Sequence, residues 1–236
     1  MTSRATGNGE SFGLERLERE TLQERAYAEV KKAMMGGDIA AGEPITIRAL
    51  ARALGTSVMP VREALRRLVA ERALELLPNR SVILPVMTPE RFEEISRIRI
   101  ALEGMMAESA AKYIKEDELR RMAKVNEDLV AKLRQKNKRY LALNQEFHFQ
   151  LYHAARMPQA MSIVETLWLQ IGPFLRDANS EADLDDPDFL DHHEAMLQAL
   201  AKRDGKRARA AIEADISEAA AVIAGVLRER ASEAAR

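Results

Sequence analysis

The chain has no cysteine, which excludes a disulfide framework and any thiolate metal site. No apolar run approaches the roughly 20 residues that cross a bilayer, and the N-terminus lacks the hydrophobic core of a secretory signal. A cytoplasmic protein with no membrane contact is therefore expected. Aromatic residues make up only 5%, while Ala, Leu, Arg and Glu recur at helical spacing, so a mainly α chain is predicted. Excess charge of one sign is missing as well: 36 Lys and Arg face 37 Asp and Glu. Through Val86 the cations lead 13 to 11, and beyond it the acids lead 26 to 23, so the asymmetry supports a nucleic-acid partner only weakly. Placement of arginines on one helix face matters more than the sum. At 236 residues the chain is long enough for two domains with separate cores.

What is present is concentrated in residues 56–72. Val61, Ala64, Leu65, Leu68 and Val69 recur at spacings of three and four, giving one apolar stripe and leaving Arg62, Glu63 and Arg66 on other faces. Ser57 is a good N-cap, and Pro60 falls in the first turn, where a missing N–H costs nothing. With Pro60 unable to donate, the Ser57 hydroxyl is expected to cap Met59. The free N–H groups and positive dipole end then point where a phosphate or base edge can sit, with Arg62 one turn further in. Upstream, Ile47, Leu50, Ala51 and Leu54 form a second short stripe capped by Thr46 and closed by Gly55 in a left-handed conformation. Helix, glycine turn, helix is a helix-turn-helix pattern. Leu74 to Leu77 and Val82 to Val86, β-prone runs around Pro78-Asn79-Arg80-Ser81, make a wing. A first helix from about Leu14 to Met35 should buttress the motif, after a mobile tail over residues 1–12.

Leu50-Ala51, Gly55-Thr56-Ser57, Pro60-Val61-Arg62-Glu63-Ala64-Leu65, Leu68 and Asn79-Arg80 resemble the winged helix-turn-helix of the GntR family of bacterial transcription regulators, whose signature is close to Ser-Arg-Thr-Pro-Val-Arg-Glu-Ala-Leu. The resemblance covers about the first third of the chain. It implies that Arg48, Ser57 and Arg62 lie at the DNA, with Arg80 at the wing tip near the minor groove. Arg66 joins them as a cation off the apolar stripe. Where the family has Arg-Thr after the capping serine, this chain has Val58-Met59, a pair suited to contact a thymine methyl. Ser81 stands where the wing commonly has glycine, so the two departures bear on operator sequence and not on the act of binding.

Thr88-Pro89-Glu90 reads as a new helix start, which sets a boundary at Val86 to Met87 between a winged domain over residues 13–86 and a helical domain over residues 87–236. Amphipathic helices are predicted over about 89–113, 116–135, 138–156, 159–178, 187–203 and 205–233, as an all-α antiparallel bundle. Such a bundle after a GntR-type wing resembles the FCD effector domain, the type named for a fatty-acid regulator's C-terminal domain. The matching features are Arg99 with Leu102-Glu103, Phe147-His148, and His193 with Ala199 and Asp204.

Asn144 and His148, four apart, share a helix face. His193 lies 11 residues before Asp204 and Asp215 lies 11 after it, so a reversal there sets both ~16 Å from the turn on adjacent antiparallel helices. Metal-binding FCD domains use an Asp and three His at the positions matched by Asn144, His148, His193 and Asp215. With Asn for Asp and Asp for His, one carboxylate remains in the set, a shell usable by zinc, nickel or manganese. The alternative is two hydrogen-bonded core histidines with no metal. His192 competes with His193, which shares the apolar face of Leu197 and Leu200 and is preferred as the inward one. The resemblance implies a small carboxylate effector held by Arg99 and the metal; the competing reading is a solvated Arg99–Glu103 ion pair. The expected function is a ligand-responsive repressor that binds a two-fold operator in double-stranded DNA as a homodimer, and not an enzyme. Two rivals stay open: a regulator whose bundle takes an organic ligand without metal, and a metal-dependent hydrolase, for which no recognisable general-base motif is found.

Overall fold

The structure, a computed structural model, describes residues 21–36, 39, 41–79, 81–135, 139–181 and 191–234. The expected tail over residues 1–12, the first part of the expected first helix, and Arg80 lie outside them. Among the described residues the chain is mainly α: three helices, α1 (Leu22–Gly36), α2 (Ile47–Ala53) and α3 (Val58–Ala70), a hairpin of β1 (Glu75–Leu76) and β2 (Val82–Ile83), and six further helices.

α1 is entered through a reciprocal cap in which the Thr21 hydroxyl accepts from the Glu24 N–H at 3.2 Å and the Glu24 carboxylate accepts from the Thr21 N–H at 2.7 Å. The Thr46 hydroxyl caps α2 by accepting from Ala49 N–H. α2 stops because Gly55 adopts φ +62°, letting its N–H and that of Thr56 reach back to the Arg52 and Ala51 carbonyls. α3 ends in the same motif with an arginine in the glycine position. Arg72 sits at φ +57°, at a cost of ~1–2 kcal/mol, and its N–H and that of Ala73 bind the Val69 and Leu68 carbonyls. Its own carbonyl accepts from the Arg91 guanidinium at 3.2 Å.

β1 and β2 pair antiparallel with Glu75 opposite Ile83 and Leu76 opposite Val82, each strand shorter than expected. The segment between α1 and α2 adds a third strip: Ile45 exchanges backbone bonds with Val82 at 2.7 and 2.9 Å, and Gly42 N–H donates to the Leu84 carbonyl. Gly42 holds φ +78° there.

The bundle comprises α4 (Pro89–Tyr113), α5 (Glu116–Arg134), α6 (Arg139–Ala154), α7 (Pro158–Glu181), α8 (Asp191–Ala201) and α9 (Gly205–Ala234). One core, with Met106, Phe147, Leu151, Tyr152, Trp168, Met196 and Ile212, lies inside it. The other joins the winged motif to the bundle. Val30 and Met34 of α1 and Val61, Leu65 and Leu68 of α3 share a continuous apolar cluster with Phe92 and Ile95 of α4, Leu169 and Phe174 of α7 and Ile223 of α9. Met35 of α1 seats its thioether against Gly172 of α7, in the space a Cβ would take. Polar contacts reinforce the junction: Arg91 also donates to Gln170 Oε1 at 3.3 Å, and Gln170 Nε2 donates to the Glu71 carbonyl at 3.4 Å. The end of α3 is thereby tied to α4 and α7.

Candidate DNA-binding face and metal centre

α3 buries Val61, Ala64, Leu65 and Leu68 and turns its N-terminal end outward. Ser57 is at the N-cap with extended backbone but makes no side-chain cap bond, contrary to the expected bond to Met59. Pro60 at the third helical position removes one of the two N–H groups that a capping hydroxyl normally reaches, and the serine oxygen is left exposed. The Val58-Met59 pair divides: Val58 packs against the domain core, while Met59 is 59% exposed. Arg62 is half-buried, Arg48 is exposed at the start of α2, and neither has an ionic partner among the described residues. Arg66 is exposed but paired with Glu63 at 2.6 Å on its own helix. Arg67 belongs to the fold, since its guanidinium lies 3.8 Å from the Tyr27 ring centre and binds Glu71 at 2.9 Å. Arg80 lies outside the described residues.

Inside the bundle, α6, α8 and α9 bring His148, His193 and Asp215 together with ligand atoms within 4.8 Å of one another, all buried. The α8–α9 hairpin reverses at Arg203, whose φ of +57° lets Asp204 N–H bind the Ala199 carbonyl. That reversal sets His193 opposite Asp215, Nε2 to Oδ1 at 3.5 Å. His148 Nε2 approaches Asp215 Oδ2 at 3.3 Å. His192 turns outward to Glu218. Asn144, one turn before His148 on α6, is partly buried and makes no side-chain hydrogen bond among the described residues.

A further set of polar groups orients the two imidazoles. The Tyr152 hydroxyl donates to Glu103 and must therefore accept from His148 Nδ1 at 3.0 Å. His193 Nδ1 donates to Asn126 Oδ1 at 3.1 Å if the amide oxygen faces it. With both Nδ1 atoms carrying protons, a neutral ring has its lone pair on Nε2, and both lone pairs face the Asp215 carboxylate. Burial, then the charges of His193 and Arg99, hold His148 well below its ordinary pKa, and burial followed by His192 lowers His193 to about 3, so both rings are neutral. Burial is also the main cause that raises Asp215 to about 7, against the opposing pull of His192 and Arg99. Acceptors meeting acceptors at 3.3–3.5 Å require a cation or a proton between them.

Arg99 does not form the solvated ion pair considered from the sequence. Its Nε and Nη2 bind Glu103 at 2.7 and 3.1 Å, with the side chains 7% and 0% exposed, and its guanidinium lies 4.6 Å from the Trp168 ring centre. Sequence reading missed four contributors: Asn126, Glu103 as a partner of Tyr152, Tyr152 itself, and Trp168. Two signals were available. Asn126 interrupts the apolar stripe of Met122, Leu129 and Leu133, and Tyr152 follows His148 by one turn.

A model of the FCD domain matches residues 94–218, and a model of bacterial regulatory proteins of the gntR family matches residues 22–84. The HTH-type transcriptional regulator McbR of Escherichia coli (strain K12) is 29% identical over 189 residues, covering 77% of this chain and 83% of that protein. The gluconate operon transcriptional repressor of Bacillus subtilis (strain 168) is 25% identical over 191 residues, 76% of each. The solved structure of E. coli McbR/YncC is 26% identical and superposes with a TM-score of 0.80, over 87% of this chain and 98% of that one. A GntR regulator from Rhodococcus sp. RHA1 shares the fold at 19% identity and a TM-score of 0.72, covering 86% and 97%. No described helix is long and apolar enough to cross a membrane.

Proposed function

Since the chain belongs to the GntR family of bacterial regulators and carries an FCD domain, we propose that this transcriptional regulator is a repressor that binds a two-fold operator as a dimer and senses a small carboxylate at a metal in its bundle. The relatives are regulators and not enzymes, which removes the hydrolase reading. On DNA, the N-terminal end of α3 enters the major groove, with Arg62 and Met59 at base edges. The Ser57 hydroxyl, the free N–H groups and Arg48 meet phosphates, and Arg66 is released from Glu63 to do likewise. A single domain gives too little contact for operator affinity, and α4 offers a face for pairing: Ile98, 44% exposed, Ala101, and Met105, 41% exposed, follow one another at three and four residues.

The observation that carries the sensing half is the pair of Nε2 lone pairs turned toward Asp215. His148, His193 and Asp215 supply two neutral imidazoles and a carboxylate, a donor set that fits zinc, nickel or manganese, and Asn144 is placed by spacing to be a fourth ligand. Such an ion supplies positive charge and an open coordination position for the effector carboxylate. Arg99, Trp168 and Asp215 stand on α4, α7 and α9, the helices that also pack under the winged motif, so effector binding and the pose of α3 are mechanically joined. A metal-free regulator is the second reading, favoured by the raised pKa of Asp215, because a proton on its carboxyl also resolves the clash.

The test is the affinity of purified protein for DNA upstream of its own gene, followed by fluorescence anisotropy across a salt series, with elemental analysis of the same sample. Steep loss of affinity with salt and about one divalent ion per chain are expected. Salt-independent or absent binding would remove the DNA assignment, and metal-free protein with full affinity and no response to added zinc would select the second reading.

A further inference from the structure

The charge of the bundle site depends on Arg99 and Glu103 as well as on the residues proposed to hold the ion. Among the described residues three buried side chains there carry charge: Arg99, Glu103 and Asp215. The imidazoles of His148 and His193 bind metals in neutral form, and Tyr152 and Asn126 are uncharged. Glu103 takes two hydrogen bonds from Arg99, from Nε and Nη2, and its carboxylate cancels the guanidinium charge within the site. The protein therefore contributes a net charge of −1, and a divalent ion brings the site to +1. One anionic charge on the ligand balances the site, and a second would be buried without compensation.

A second observation points to the rest of the ligand. Trp168 Nε1 is the one fully buried side-chain polar atom without a hydrogen-bond partner among the described residues. Its ring lies under the Arg99 guanidinium and 5.4 Å from the His148 ring, beside the metal ligands. A buried donor left unpaired is unfavourable, so a ligand bringing an acceptor oxygen gains from it.

We propose that the site selects a singly charged hydroxy- or oxo-monocarboxylate over dicarboxylates, with Glu103 setting the charge preference by neutralising Arg99 and Trp168 Nε1 donating to the ligand's uncharged oxygen. This rests on the metal-centre reading above and narrows its ligand class. It also gives Arg99 the role of positioning Glu103, which in turn accepts from the Tyr152 hydroxyl.

The full-length protein is titrated with zinc by calorimetry, then with 2-hydroxybutanoate and, separately, malate, which has the same four-carbon chain and one more carboxylate. Trp168 is the chain's single tryptophan, so its fluorescence reports occupancy directly. At least tenfold tighter binding of 2-hydroxybutanoate than of malate is expected. Glu103→Gln should shift the ratio toward malate by at least tenfold, and Trp168→Phe, followed by calorimetry, should weaken 2-hydroxybutanoate. Because Glu103→Gln strips Arg99 of its partner and can impair folding, the comparison of the two acids on the unmodified protein decides the matter alone. Equal or tighter binding of malate, or no binding of either acid to zinc-loaded protein, overturns the inference and leaves the metal centre standing. Failure to take up zinc overturns the metal centre and the inference with it, while DNA affinity reports separately on the regulator.

Discussion

Replacing Asp215 by asparagine tests whether two imidazole lone pairs and a carboxylate are forced together in the bundle. In the metal-free protein, ionising Asp215 is costly because burial raises its pKa to about 7, against about 3.9 in an unfolded chain. A raised carboxyl pKa leaves folding undisturbed below the unfolded value and subtracts stability as pH climbs toward the folded one. The penalty is about 1 kcal/mol at pH 4.5 and grows to an upper bound of about 4 kcal/mol by pH 8. Asparagine has no such penalty, and its NH2 can donate to one Nε2. Chelator-treated Asp215→Asn should therefore melt above the chelator-treated parent by up to ~8–16 °C at pH 8, with the gap closing toward pH 4.5. The lowered pKa of His193 gives stability a rise between about pH 3 and 6.5, but it is common to both proteins and cancels in the difference. With zinc present the order reverses, since only the parent keeps the anionic ligand. A variant less stable than its parent at pH 8 without metal would refute the reasoning, for it would mean that a protonated imidazole pairs with ionised Asp215.

Arg62→Ala should cost about 1–3 kcal/mol on operator DNA and little on unrelated duplex if its guanidinium reads a base, measured by anisotropy against both; equal losses on the two would make it a phosphate contact instead. Phe92→Ala empties a site at the core shared by the winged motif and the bundle, so a loss of about 3–5 kcal/mol is expected with the chain still melting in one calorimetric transition. Two transitions, with only the later one shifted, would show that the shared core does not couple the halves.

Most of the helical architecture was legible because it is a local property. The three-and-four spacing of Val61, Ala64, Leu65 and Leu68, the cap at Thr88 before Pro89, and Gly55 after a short stripe each depend on residues within a few positions of one another, and the structure realises each. The hairpin is a less obvious case. His193 and Asp215 are equidistant from Asp204, and a helical rise of fixed length carries both to the same height, so two-thirds of the buried cluster followed from counting.

The sequence by itself determined where the apolar stripes turn inward, because periodicity names the buried face of each helix. Which inward residues meet was decided only in three dimensions. Asn126 binds His193 across 67 positions and Tyr152 reaches Glu103 across 49, and no spacing rule relates residues on helices whose packing order is unknown. The same holds for Arg99, whose four-residue separation from Glu103 suits either a solvated pair or a buried one until Trp168 covers it. Ser57 shows the limit on the local side as well, because the expected cap bond to Met59 is absent although Ser57 keeps the N-cap backbone. Helix formation depends on neighbours along the chain, whereas the charge and reach of a buried site depend on partners that folding alone brings together.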